Sequence, residues 1–318
     1  MTPDTTHTNL CGLSSDSPSH ANHRGALAAA SGFLFWGVAP IYWKQMHTVS
    51  PYELIAHRIT WSLLFLLGLM AWQKSFAELR PAFASPRSFL LSLVSSLFLT
   101  ANWTVYVWAV NSGHIIETSL GYFLAPLCNI AFGCFAFHEQ LRRLQWVAIG
   151  FAVLGVGLLL AGIGHVPWIA LTLAGTWACY GILRKKSHLG SLAGLTVETI
   201  LLFPFAAALL LWRAHTGEGA LGHASPLLHV FVLSVGVVTA IPLLLFAYGA
   251  RRIRMTTLGL LQYCAPTVQF LIGLFVYHEP FDSARFQAFA LIWCGLVIYS
   301  ADGFWSQRRV LLRAAGAG

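Results

Sequence analysis

Charged side chains are scarce in this sequence. Asp, Glu, Lys and Arg make up 9% of the 318 residues, and 57% are hydrophobic, whereas a typical soluble domain is about 25% charged. The mean hydropathy of +0.68 is too high for a surface that faces water. The apolar runs, each about 20 residues long, can cross a bilayer as helices. They do not alternate in polarity, which argues against a membrane β-barrel.

Several motifs of catalysis and metal binding are also missing. The six cysteines form no CxxC pair, so we expect neither a disulfide framework nor a zinc site. The pairs His138-Glu139 and His278-Glu279 lack the second His of an HExxH zinc motif. GxSxG, Walker A and Rossmann patterns are absent as well. We therefore expect a protein that is not an enzyme and uses no cofactor, metal or ATP.

The basic residues are distributed as in a membrane protein. The net charge is +8, but Lys and Arg stand singly or in short groups at the ends of apolar runs, unlike a nucleic-acid-binding face. If the N-terminus is cytoplasmic, 15 of the 19 Lys and Arg fall in cytoplasmic segments, 3 fall outside, and Arg58 lies within a span. The positive-inside rule therefore predicts that both termini are cytoplasmic.

Ten membrane spans are predicted, joined by connections short enough to make neighbouring helices antiparallel. A disordered cytoplasmic tail is predicted for residues 1–24, which are polar and lack the apolar core of a cleavable signal peptide. A second cytoplasmic tail is predicted for residues 306–318. The predicted spans are 25–46, 50–72, 88–111, 115–137, 144–163, 166–186, 191–213, 226–249, 254–278 and 284–305.

An internal repeat relates the two halves of the sequence. When residues 125–160 are placed on 265–300, eight of 36 positions are identical, including the consecutive His-Glu. At an offset of 141, Trp36 matches Trp177. Because each unit holds five helices, an odd number, the units must be inverted, as in secondary transporters whose substrate site lies between the repeats. The predicted units are residues 25–163 and 164–305.

Ionisable residues inside spans are costly and mark candidate functional sites. Glu53 and His57 lie one turn apart on the second span, beside Arg58, and Glu198 lies in the seventh span. The repeat makes His57 and Glu198 equivalent, and a long Arg58 side chain can reach Glu198 near the centre. We hypothesise that Glu198, with His57 and Arg58, forms a proton- or substrate-linked switch. A static ion pair, or side chains that extend to the interface, is the alternative.

Aromatic and amide side chains cluster in the third, fourth and ninth spans. They suit a pocket for an amphipathic or aromatic solute, with helix packing and interfacial belts as the alternative. Glu117 lies at the outer end of the fourth span, where its alternative role is an interfacial cap. The other candidates for substrate binding or coupling are Asn102, Trp103, Trp108, Asn111, Tyr122, Asn129, Gln262 and Tyr263.

Several stretches form a recognisable set: Phe35-Trp36-Gly37-Val38-Ala39-Pro40, His57-Arg58-Ile59-Thr60-Trp61-Ser62, Glu117-Thr118-Ser119-Leu120-Gly121-Tyr122-Phe123 and Arg142-Arg143-Leu144-Gln145-Trp146. Over about residues 25–310 the sequence resembles the RarD (chloramphenicol-sensitive protein) family, in the EamA group of the drug/metabolite transporter superfamily. The resemblance implies ten helices in two inverted EamA repeats, and a permease or exporter of the bacterial inner membrane. That family has Gly-Glu where this chain has His138-Glu139.

The predicted function is secondary-active transport, by alternating access, of a small amphipathic solute such as an amino acid, metabolite or drug. Proton coupling is a further hypothesis. The expected partners are membrane lipid, the solute and protons, and nucleic acid is not expected; the oligomeric state is left open. Two alternatives remain: a polytopic membrane enzyme that acts on lipid, and a membrane scaffold or sensor that transports nothing.

Overall fold

The computed structural model describes residues 18–112, 114–161, 165–220, 225–278 and 283–315. Within these ranges the regular structure is entirely helical, and one short 3-10 helix covers Phe76–Leu79. The α-helices are α1 (Pro18–Lys44), α2 (Pro51–Trp72), α3 (Arg80–Ala84), α4 (Pro86–Asn111), α5 (Ile115–Phe137), α6 (Arg143–Ala161), α7 (Trp168–Lys186), α8 (Ser191–His215), α9 (Pro226–Ala250), α10 (Met255–Gln262), α11 (Cys264–Phe275) and α12 (Ser283–Ala315).

Large apolar side chains cover the outside of the helix bundle. Trp72, Phe135 and Phe205 are 81%, 79% and 78% exposed. In the described ranges, nine helical segments are long and apolar enough to cross a membrane. A helix satisfies its own backbone hydrogen bonds in lipid, and lipid covers such an apolar surface without cost. The predicted fold class, an all-α multi-pass membrane protein, is therefore confirmed.

The predicted sixth span corresponds to α7, which is not one of those nine segments. Its last turn carries Arg184, Lys185 and Lys186, which lower its mean hydropathy. The helix nevertheless packs inside the bundle against α4 and α5, and Ala174 and Tyr180 are fully buried. The count of ten spans therefore depends on α7 and stays a prediction.

Helices from the two halves of the chain pack on one another in a reciprocal pattern. The pair α1–α9 has its counterpart in α7–α4, and α1–α11 has its counterpart in α7–α5, while α6 packs on α12. A Cβ atom added at Gly155 would lie 2.7 Å from the carbonyl oxygen of Ala288, and one at Gly295 would lie 2.5 Å from that of Ala148. Inverted repeats related by a two-fold axis make such reciprocal contacts. The boundaries of the two units stay predictions.

Both ends of the helical bundle extend beyond the predicted outermost spans. Helix α1 begins at Pro18, inside the predicted tail 1–24, and proline is favoured at the first helical position because its φ is already helical. Residues 1–17 lie outside the described ranges. Helix α12 continues to Ala315, through a segment whose Arg, Leu and Ala residues favour helix.

The two His-Glu pairs mark a left-handed backbone position. His138 ends α5 with φ 51° and ψ 38°, and His278 has the same φ of 51°. An L-residue pays a steric penalty in this region, which glycine avoids, although His adopts it more often than most residues. The turn directs the next residue inward, and Glu139 accepts hydrogen bonds from the backbone N–H groups of Met255 and Thr256 at 2.6 and 3.0 Å. Glu139 therefore caps the N-terminus of α10.

Replacing His138 with glycine is expected to raise the apparent melting temperature of the detergent-solubilised protein. The His138 side chain is exposed, so its loss should change the free energy of unfolding little. Glycine avoids the steric penalty of the left-handed backbone region, which should raise the free energy of unfolding by roughly 1 kcal/mol. The matched control is His138→Ala, which also deletes the imidazole but keeps Cβ in the strained position. A thermal-unfolding assay in which glycine is less stable than alanine would contradict the backbone explanation.

Candidate functional site

A cavity of about 400 Å³, here called the central cavity, lies between the two halves of the chain. Helices α1, α2, α4, α5, α7 and α9–α11 all contribute to its wall. The wall is mainly aromatic and aliphatic, and it contains three amides and one cation. A large apolar pocket with a few convergent polar groups is typical of a small-molecule site. Its most distinctive lining residues are Trp36, Trp43, Arg58, Asn102, Trp103, Tyr106, Tyr122, Trp177, Gln262 and Gln269.

The central cavity occupies one half of the bundle. Helices α2, α7 and α9 all end on the same side of the bundle. Lys74, Arg184 and Arg251 lie on that side, which we call the basic end. The lining residues of α1 and α2 come from the opposite half of each helix, and Pro51 is the first residue of α2. Tyr122 in the cavity wall is 44% exposed. The cavity therefore lies toward the end away from the basic residues, and part of its wall is exposed.

Arg58 supplies the positive charge of the central cavity. Its guanidinium lies over two indole rings, 5.0 Å from the centroid of Trp43 and 4.5 Å from that of Trp103. Its Nε donates a hydrogen bond to Thr239 Oγ1 at 3.1 Å. These contacts hold the guanidinium at a fixed position in the wall, because stacking on an indole face attracts a cation.

Prolines loosen the helix backbone beside the cavity. Pro40 has no N–H to donate to the carbonyl of Trp36 one turn earlier, and Gln269 Nε2 donates to that carbonyl instead at 3.2 Å. The predicted ninth span is divided into α10 and α11 at Tyr263, three residues before Pro266. Broken helices next to a central pocket are tolerated where side chains satisfy the freed backbone groups, and they are common at transporter binding sites.

The predicted amide and tyrosine candidates form contacts between helices. Asn102 Nδ2 donates to the Leu173 carbonyl and to Thr176 Oγ1 at 2.8 and 2.9 Å. Asn129, fully buried behind the wall, donates from Nδ2 to Gln262 Oε1 at 2.7 Å. The Tyr263 hydroxyl donates to the Phe123 carbonyl at 3.2 Å. Asn102 and Gln262 therefore line the cavity, whereas Asn129 and Tyr263 support it from behind.

Glu198 lies at the closed side of the bundle, between the cavity and the basic end. Its carboxylate contacts Arg184 Nη1 at 3.3 Å and accepts hydrogen bonds from Ser95 Oγ at 2.7 Å and Tyr180 Oη at 3.2 Å. All four side chains are buried. A void of about 10 Å³, close to the size of one water, lies between this cluster and the cavity and is lined by both Glu198 and Arg58. Glu198 therefore pairs with Arg184 and not with Arg58.

Lys185 closes the same end of the bundle. Its amine donates hydrogen bonds to the backbone carbonyls of Ala250 and Ile253, where α9 ends. Arg184 Nη2 also donates to the carbonyls of Gly190 and Ser191, each at 3.3 Å. Lys185 thus acts at the C-terminus of α9, where cationic side chains often satisfy carbonyls, whereas Arg184 reaches the first residues of α8. These contacts join α7, α8 and α9 and separate the cavity from the basic end.

Glu53 and His57 lie at the other end of α2 and do not line the cavity. Glu53 contacts Arg213 Nε at 3.3 Å and accepts a hydrogen bond from the backbone N–H of Ala220 at 2.6 Å. The His57 Nε2 atom lies 3.5 Å from Glu53 Oε1, and neither ring nitrogen makes a hydrogen bond to another described residue. The group therefore ties α2 to the end of α8.

The remaining predicted candidates lie near the rim of the bundle. Glu117 Oε1 is 3.3 Å from His165 Nε2. The Trp108 ring stacks on His114 with centroids 5.6 Å apart and approaches Trp168 at 5.5 Å. Glu117 and Trp108 lie outside the cavity wall. Asn111 is the last residue of α4, and its side chain lies outside the part of the chain that the structure describes.

Sequence reasoning missed four aromatic residues of the wall: Phe33, Trp36, Trp43 and Trp177. The Trp36 and Trp177 rings meet edge to face with centroids 5.3 Å apart, at positions that the internal repeat had already matched. A pair of repeat-equivalent residues can touch only where the two halves meet. The match between Trp36 and Trp177 could therefore have indicated residues of the cavity wall. Trp43 had no such signal, because its role depends on its contact with Arg58.

Comparison with known proteins agrees with the geometry. The sequence matches the EamA-like transporter family twice, over residues 23–161 and 166–301. It is 39% identical over 280 residues to an uncharacterized transporter of Vibrio cholerae, covering 88% of this chain and 93% of that protein. It is 37% identical to Protein RarD of Escherichia coli, covering 90% of this chain and 97% of RarD.

A solved crystal structure shares the fold. It superposes with a TM-score of 0.66 at 20% sequence identity and covers 86% of this chain and 96% of the other. At that identity the likeness shows the fold alone. The sequence relatives are bacterial, so this chain is a multi-pass protein of a bacterial inner membrane that contacts lipid and a small solute. The two family matches and these relatives show that the chain belongs to the EamA-like transporter family and is a membrane transporter.

Proposed function

We propose that the protein is a secondary-active transporter that moves a small amphipathic solute by alternating access between its two halves. One observation carries the proposal: the central cavity lies between the halves, and contacts of Arg184 and Lys185 join the helices at the basic end. A transporter that alternates needs a site closed on one side at a time. Rocking of the halves about this site would open the basic end and close the other.

We further propose that the basic end is cytoplasmic and that both termini lie on that side. The Lys and Arg residues at the ends of α2, α7 and α9 favour this orientation under the positive-inside rule. The structure then represents a state closed to the cytoplasm. Export would require the cavity to open next toward the cytoplasm, where Arg184 and Lys185 now join the helices.

Proton coupling is proposed at Glu198. The ionised carboxylate holds Arg184 at the closed end. Protonation would remove the negative charge that offsets the buried guanidinium, and an unpaired charge in the membrane interior is costly. The Arg184 side chain would then favour a more solvated position, which requires the closed end to open. The void beside Glu198 gives a water-sized step toward the cavity.

Flux into proteoliposomes under an imposed pH gradient tests this function. We expect gradient-driven flux of at least one class from a panel of amino acids, aromatic metabolites and chloramphenicol. Glu198→Gln should still exchange solute but lose its response to the gradient, because glutamine cannot titrate. The matched control is Glu218→Gln, which changes an exposed acid and should respond as the wild type does.

Two results would contradict these proposals. Unchanged pH dependence in Glu198→Gln would remove Glu198 from proton coupling and leave a static ion pair. Absence of flux for every solute, from protein that is monodisperse and correctly inserted, would contradict the proposed solute class.

A further inference from the structure

We propose that Arg58 binds a carboxylate group, and that the solutes of this transporter are monocarboxylates with an aromatic or apolar body. This inference rests on the transport function proposed above and names its substrate class. It follows from the charge of the central cavity, the contacts of one guanidinium and the composition of the wall.

The charge of Arg58 is not balanced by the protein. Two buried acids are already engaged: Glu198, which lines a void together with Arg58, pairs with Arg184, and Glu53, on the same helix as Arg58, pairs with Arg213. Within the described ranges no carboxylate lies within 4.0 Å of the Arg58 guanidinium, and none lines the central cavity. An arginine does not lose its proton in a protein, and an unpaired charge at membrane depth is expensive. An anion from solution would balance it.

The contacts of Arg58 leave its terminal nitrogens available. Thr239 takes the Nε hydrogen bond, and the indoles of Trp43 and Trp103 cover the guanidinium without using its N–H donors. Within the described part of the chain, Nη1 and Nη2 have no hydrogen-bond partner. A planar guanidinium held against aromatic rings can present parallel donors to a carboxylate.

The wall restricts the rest of the solute. Aromatic side chains such as Trp36, Tyr122 and Trp177 surround the space beside Arg58, and they suit a ring or an aliphatic body. A single guanidinium matches one negative charge, so a dianionic phosphate would keep one negative charge without a counter-charge. Aromatic walls can also bind an ammonium group, but Arg58 repels a cation, and no acidic residue of the described chain lines the cavity to offset that repulsion.

Three probes that differ at one group test the inference on the unmodified full-length protein in detergent. Hippurate carries a carboxylate, hippuramide carries a neutral amide, and N-(2-aminoethyl)benzamide carries an ammonium, all on a benzamide body. Isothermal titration calorimetry should show hippurate binding at least about tenfold more tightly than hippuramide, with the cation weakest. Equal binding of all three, tighter binding of the cation, or binding of none would overturn the inference.

Two Arg58 variants assign the preference to this side chain. Arg58→Gln should lose the preference for hippurate over hippuramide, whereas Arg58→Lys should keep part of it because the charge remains. A hippurate preference that survives in Arg58→Gln would overturn the inference. Flux separates the two proposals: hippurate that binds through Arg58, together with absence of flux for hippurate and every solute of the panel, contradicts the proposed transport function and leaves the carboxylate site standing.

Discussion

One methyl group added at Gly236 is expected to prevent α2 and α9 from packing. The Cβ atom of an alanine there would fall well inside van der Waals contact with the Trp61 carbonyl carbon and the Ser62 amide nitrogen. These are backbone atoms, so no rotamer change relieves the overlap. Ser62 Oγ also donates a hydrogen bond to the Gly236 carbonyl at 3.0 Å, which closes the contact further. Small residues allow helices in membranes to approach this closely.

The expected cost of Gly236→Ala lies at or above the upper end of the overpacking range, about 3 kcal/mol. Because a bundle of this kind is only marginally stable, the variant should lose most of its monodisperse yield in size-exclusion chromatography. Gly68→Ala is the matched control: it makes the same change on α2, and a Cβ atom there would meet nothing within 4 Å. If both variants gave the same monodisperse yield as the wild type, the result would contradict the close contact between α2 and α9.

Removal of the Arg184 charge is expected to have the second-largest effect on stability. Arg184 is 1% exposed and touches Glu198, which is equally buried. Arg184→Met keeps the length of the side chain but leaves the Glu198 carboxylate without a cation. Breaking one side of a buried pair typically costs about 3–5 kcal/mol. Thermal unfolding in detergent should therefore show a large fall in the melting temperature.

A compensating change separates lost charge from lost packing. In Arg184→Met combined with Glu198→Leu, no charge remains unpaired, and a buried pair replaced by apolar side chains is often close to neutral in stability. We expect the double variant to recover most of the melting temperature that Arg184→Met loses. Lys186→Met is the control for charge removal at an exposed neighbour and should change little. A double variant as unstable as Arg184→Met would show that the loss came from packing.

The sequence singled out candidate residues but could not assign their partners. Arg58 stood out because a lone ion in an apolar run is costly, and the structure puts it in the cavity wall. The expected approach to Glu198 did not form, because α7 turns Arg184 inward to reach that carboxylate first. Arg184 had looked like an ordinary cytoplasmic charge, since hydropathy does not show which way a side chain at a helix end points.

Hydropathy alone determined the helical, multi-pass architecture. Each span is a run of about 20 residues whose transfer into lipid is favourable residue by residue, so local sums along the chain suffice. The internal repeat added inversion as an expectation, because an odd number of helices per unit reverses the second copy.

Only the tertiary structure decided which side chains meet. Thr239 lies 181 positions from Arg58, and Trp36 touches Trp177 across the junction between the halves. Such contacts depend on the rotation and depth of each helix, which close packing at small residues such as Gly236 and Gly155 fixes. Composition sets the energy of a helix in lipid, but packing between distant segments sets where its side chains point.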